Sequence, residues 1–175
     1  EVFSKNRNIN WLSFARMFLF GARDVWFVVG IPIYFYAVLS DGSEAGNRAA
    51  FFLIGTFMAI WTILYGVVQG AAPRLLRAAS RSPGELLGQA RFWVGLLIVV
   101  PAALAVSVYS ADAPSATLTA LVILGLMVFG GIFAVNSSLH SYLILAFTDE
   151  RRGTMDVGFY YMANAGGRLI GCLLS

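Results

Sequence analysis

Four charged residues stand where almost everything around them is apolar. Arg16, Arg23 and Asp24 interrupt the apolar run Trp11–Leu39, and Arg168 interrupts the run that begins near Met155. A charge near the centre of a bilayer costs several kcal/mol, so such residues face a helix-bundle interior or a watered path rather than lipid. Arg16 and Arg23 are two helical turns apart and share a face. Counting from the first apolar residues, Arg23 lies roughly 22 Å along its helix and Arg168 roughly 20 Å along its own. Two guanidinium groups at one depth, with Asp24 as the only deep carboxylate, leave positive charge unbalanced. Guanidinium forks bind carboxylate and phosphate oxygens in pairs, so an anionic solute is the natural missing partner. Two residues keep a second reading. Arg16 is shallow enough to snorkel to headgroups. Asp24 is either a neutralising ion-pair partner or a proton-coupling group.

Two further sets of polar residues fall inside apolar stretches. Asn136, Ser137, Ser138, His140 and Ser141 cluster at helical spacing, and Asn136 and His140 are one turn apart. The serines suit close helix packing. His140 is either a proton carrier, since imidazole titrates near neutrality, or a hydrogen-bonded interhelical group. Tyr160, Tyr161, Asn164 and Arg168 form the second set. The expected solute-binding residues are Arg23, Arg168, Asn136, His140, Tyr161 and Asn164, with Asp24 in coupling or ion pairing. One cysteine, Cys172, and one histidine speak against a disulfide framework, a metal site or a cofactor. A catalytic reading wants paired carboxylates at one depth, so an enzyme is not expected. The basic segment 69–89 lacks interleaved aromatics, which speaks against nucleic acid.

The elements that hold these residues are helices. Of 175 residues, 59% are hydrophobic and 12% charged, well beyond a soluble domain. The apolar stretches each exceed the roughly 20 residues needed to cross about 30 Å of hydrocarbon. They lack the alternation of barrel strands. The expected fold is an all-α transmembrane bundle with spans at about 9–39, 49–68, 90–109, 116–147 and 155–175, the third kinked at Pro101. Turn residues at Ser40–Glu44 and Ser110–Pro114 separate spans. Lys5, Arg7, Arg74, Arg77, Arg81, Arg151 and Arg152 sit on one set of alternating connections, whereas the other set holds Arg48 with Asp41, Glu44 and Asp112. The excess of positive charge places the amino terminus and the 69–89 and 148–153 connections in the cytoplasm. A start at Glu1 and an end inside an apolar run mark an expected fragment. Gly125, Gly130, Gly131, Gly167 and Gly171 have the small-residue character of close helix packing.

Three blocks carry a family resemblance: Asn10–Val29 (NWLSFARMFLFGARDVWFVV), Phe133–Phe147 (FAVNSSLHSYLILAF) and Val157–Gly171 (VGFYYMANAGGRLIG). They resemble the ArsJ organoarsenical efflux permeases of the major facilitator superfamily. The resemblance implies helices seven to eleven of a twelve-helix carrier, with the amino-terminal half of the same chain as a missing partner. It also implies a bacterial inner membrane location and export of 1-arseno-3-phosphoglycerate, a small anion made by a glyceraldehyde-3-phosphate dehydrogenase when arsenate replaces phosphate. The family's binding residues are not carried over; the site above rests on the residues themselves. Two alternatives stand beside it: a carrier of another organic anion or drug-like solute, and a membrane enzyme or assembly subunit.

Overall fold

A computed structural model describes residues 4–148 and 153–175. Six α-helices run in chain order: α1 Arg7–Phe27, α2 Gly30–Leu39, α3 Glu44–Leu75, α4 Pro83–Tyr109, α5 Ala116–Phe147 and α6 Gly153–Leu174. A short 3-10 turn, Ala78–Ser80, lies between α3 and α4, and no strand occurs among the described residues. Among the described residues, four stretches are long and apolar enough to cross a membrane: Arg7–Leu39, Glu44–Ser80, Pro83–Tyr109 and Ala116–Phe147. The chain is therefore all-helical and compatible with a multi-pass membrane protein. Expected as a fifth span, α6 is not among these four, because Asp156, Asn164, Arg168 and its glycines dilute its apolar content.

Boundaries differ from expectation where capping chemistry acts. The connection expected over 69–89 contracts to a few residues. At one end α3 continues through Pro73 to Leu75. It stops where Arg77 adopts the left-handed region, φ 50°, and Arg81 Nε donates to the Leu76 carbonyl at 2.9 Å. At the other end Ser82 and Glu85 form a reciprocal capping box, with Pro83 at the first helical turn, so α4 starts seven residues earlier than the expected 90. The helix α4 runs unbroken past Pro101. The first expected span is instead broken, at Val28 and Val29. Pro32 explains the position: its ring lacks an N–H and crowds the carbonyl four residues back, that of Val28. Between α2 and α3, the Ser43 hydroxyl and amide both donate to Asp41 and hold its carboxyl below its ordinary value. The expected basic residues Arg151 and Arg152 lie outside the described residues.

The chain divides into two compact units. The first comprises residues up to Gly55 together with Leu143–Ser175. Here α1 packs along α6. A Cβ on Gly167 would collide with the Met17 carbonyl, and one on Gly171 with the Gly21 carbonyl. A Cβ on Gly21 would come within 2.9 Å of the Gly167 carbonyl oxygen. The pairs 17/167 and 21/171 advance together, so the helices run parallel with their backbones in contact, a small-residue seam. The segment leading into α1 is tied to the same unit. Ser4 Oγ donates to Asp156 Oδ1 at 2.6 Å, and Asn6 Nδ2 donates to the Phe147 carbonyl at 2.7 Å. Asn6 also caps α1, accepting from the Asn8 amide at 2.9 Å.

The second unit is Thr56–Tyr142. Its α3 and α5 portions meet through aromatics: Trp61 stacks on Tyr65 at 5.6 Å, and Tyr65 lies 5.9 Å from Phe133. Trp61 Nε1 donates to the Leu126 carbonyl at 2.8 Å, and Gly130 supplies the space, since a Cβ there would meet the indole within 2.7 Å. Gly125 similarly admits Leu104 of α4. Trp61→Phe keeps the ring but leaves that contact one donor short. It is expected to lower stability by about 1 kcal/mol, read as an earlier thermal unfolding midpoint of the detergent-solubilised protein.

Candidate functional site

The first unit holds a charged cluster built from α1 and α6. Asp24 is fully buried, at 0% exposure. Its Oδ1 accepts from Arg23 Nε at 2.6 Å and lies 2.5 Å from Arg23 Nη2. Its Oδ2 accepts from Arg168 Nε at 2.9 Å. One carboxylate is thus shared, oxygen by oxygen, between two guanidinium groups, and the three side chains sum to a single positive charge. Arg23 is buried, whereas the Arg168 side chain is 53% exposed.

The glycine seam makes this geometry possible. A Cβ on Gly171 would lie 3.1 Å from Asp24 Cβ, so the missing side chain admits the Asp24 stem beside α6. Arg168, one turn earlier on α6, then reaches the carboxylate. Two buried charges are tolerated because each meets an opposite charge at hydrogen-bond distance.

Arg16 does not extend to a surface. It is buried, with its guanidinium 4.1 Å from the Phe20 ring centre and 5.0 Å from that of Tyr160. The Arg23 guanidinium lies 4.8 Å from the same Phe20 ring centre, so Phe20 meets two cations. This corrects the snorkelling reading of Arg16. The two adjacent tyrosines face different ways. Tyr160 is fully buried beside Arg16, while Tyr161, one residue and about 100° of helix further on, is 54% exposed. Asn164, one turn before Arg168, is partly buried, and its Oδ1 has no hydrogen-bond partner among the described residues.

The structure brings Arg23, Asp24 and Arg168 together. Asn136 and His140 belong to the second unit and are both buried there. Asn136 has neither amide atom in a hydrogen bond among the described residues, an uncommon state for a dry interior. Ser137 has a defined packing role, accepting from Tyr65 Oη at 3.2 Å and from Gln69 Nε2 at 3.3 Å. Ser141 Oγ turns back to the Ser137 carbonyl at 3.1 Å.

Phe20 and Asp156 escaped the sequence reading, which named Tyr160 in a polar set without pairing it with Arg16. Phe20 is an aromatic residue among many, and only its spacing from Arg16 and Arg23 marks it. Asp156 is buried in the first turn of α6 and tied to Ser4. An acidic residue at a helix start is favoured by the helix dipole, and that position was the available signal. Beside the cluster, an apolar groove of about 640 Å³ lies between α1 and α6, lined among others by Trp11, Phe14, Met17, Phe159 and Met162. Its walls carry no charge, so its chemistry is separate from that of the cluster. Among the described residues, no three His, Cys, Asp or Glu side chains gather as a metal site would require.

Comparison with models of known families, with curated proteins and with solved structures returns no match to this chain.

Proposed function

We propose that the chain is part of a membrane transporter for a small organic anion, with Arg23, Asp24 and Arg168 at its solute site. One observation carries the reading: Arg168 is half-exposed, and only its Nε is engaged, by a buried carboxylate that Arg23 also holds. Parallel packing of α6 along α1, which can itself cross a membrane, supports α6 as a fifth span. The excess of Lys and Arg on alternate connections supports a cytoplasmic amino terminus. The transport cycle is then a rocking of this bundle against a second one, with access alternating about a midplane site.

The resemblance to the ArsJ exporters supplies the substrate class: an arsenylated phosphoglycerate, exported across a bacterial inner membrane to give arsenate resistance. Its phosphate and carboxylate groups suit unbalanced arginine. Efflux from everted vesicles tests the reading. Arg168→Ala is expected to slow anion transport by at least tenfold, the loss of one charge-assisted anion contact. Normal rates for both Arg168→Ala and Arg23→Ala would sink it. Arsenate sensitivity of a deletion strain, with and without the partnering dehydrogenase, separates the arsenical from another organic anion.

A further inference from the structure

The two arginines hold the same carboxylate in different ways. Arg23 brings Nε and a terminal nitrogen together onto Oδ1, deep in the α1–α6 contact. Arg168 uses Nε alone, on Oδ2, and neither of its terminal nitrogens donates to any described residue. A guanidinium is planar, so a bond at Nε leaves the edge formed by the two terminal nitrogens outside the ion pair. That edge takes a carboxylate or phosphate end-on, through two parallel hydrogen bonds.

The exposed neighbours of Arg168 on α6 are uncharged, Leu169 and Ile170 among them, so the arginine itself decides what this surface faces. Tyr161, Ala165, Arg168 and Cys172 are all exposed and fall at spacings of four, three and four along α6. They form one stripe of the helix. A half-exposed arginine at this depth faces water or another part of the protein, because lipid would not solvate it.

We infer that Arg168 is the anion receptor, through its two terminal nitrogens. Asp24 is its positioning residue and fixed counter-ion, and Arg23 anchors Asp24 without touching the solute. The inference rests on the transport reading above and narrows it: the ligand is an oxyanion that presents two coplanar oxygens to a single guanidinium edge.

Cys172, one turn beyond Arg168, is the reporter, in membrane-inserted protein whose other cysteines, where present, are replaced by serine. It is labelled with anionic and cationic thiosulfonates of equal size, with and without inorganic phosphate. The positive field of Arg168 is expected to favour the anionic reagent by roughly tenfold, and phosphate is expected to slow labelling. Arg168→Gln loses both effects. Arg168→Lys keeps the reagent preference and loses phosphate protection, because charge remains without the paired donors. Asp24→Asn does the same, because charge remains without the aim. Equal labelling in wild type and Arg168→Gln, or a Cys172 that neither reagent reaches, overturns the inference. Reagent preference and phosphate protection without anion efflux would remove the transport reading and leave the receptor standing. Efflux that depends on Arg168 without either labelling effect would do the reverse.

Discussion

Asp24→Ala is expected to be the most damaging single change in the first unit. It strips the shared counter-charge from Arg23 and Arg168 at once. Arg23 is buried, and removing the counter-charge of a buried ion costs about 3–5 kcal/mol. Arg168 is half-exposed, so its share of the loss is small. The expectation is therefore asymmetric. Asp24→Ala should unfold far earlier than wild type in a detergent thermal melt, while Arg168→Gln should sit close to wild type. If Asp24→Ala melts with the wild type, the cluster is not holding α1 to α6. A double variant, Asp24→Ala with Arg23→Leu, removes charge and counter-charge together and should recover much of the loss.

The second large effect contrasts two adjacent glycines. Replacing glycine by alanine inside a helix usually stabilises it, by about 1 kcal/mol. Gly166→Ala should follow that rule, since a Cβ there meets nothing within 4 Å. Gly167→Ala should reverse it, because its Cβ would run into the Met17 carbonyl, which is backbone and cannot rotate away. Forced overpacking of this kind costs about 1–3 kcal/mol. Separating α1 from α6 also pulls Arg168 away from Asp24, so stability and anion efflux should fall together. The check is the sign of the change in melting midpoint for the two variants. Both moving the same way would mean that the seam is looser than described.

These effects show what the sequence could and could not carry. Spans bounded by turn residues were legible: the fourth, 116–147, coincides with α5, and the turns near Ser40 and Ser110 separate helices as expected. Ends set by local hydrogen bonds were less so. Ser82 and Glu85 spell a capping box three residues apart, yet a basic, proline-bearing stretch reads more readily as loop. Pro32 broke its helix while α4 ran on through Pro101. A proline removes one hydrogen bond wherever it stands, and whether the helix survives depends on packing that sequence does not contain.

The site divides the same way. The depth of Arg23 and Arg168 could be counted along each helix, and the structure joins them through Asp24. Which neighbour on α6 turned inward could not be counted. Tyr160 and Tyr161 differ by one position, and the rotation of α6 is set by Gly167 and Gly171 against α1. The burial of Arg16 had the same origin: its depth suggested escape to headgroups, but Phe20 and Tyr160 hold it inside.

The span of chain between Asp24 and Arg168 has a consequence for biosynthesis. They are 144 residues apart. At ordinary translation speeds, about 5–20 residues per second, Asp24 exists for roughly 7–30 s before its second partner is made. During that interval the membrane machinery handles α1 without α6. Arg23 is adjacent to Asp24, so the newly made helix carries its own neutralised pair while it waits. Arg168 arrives last, completing a contact that α1 did not need for its own charge to be paired.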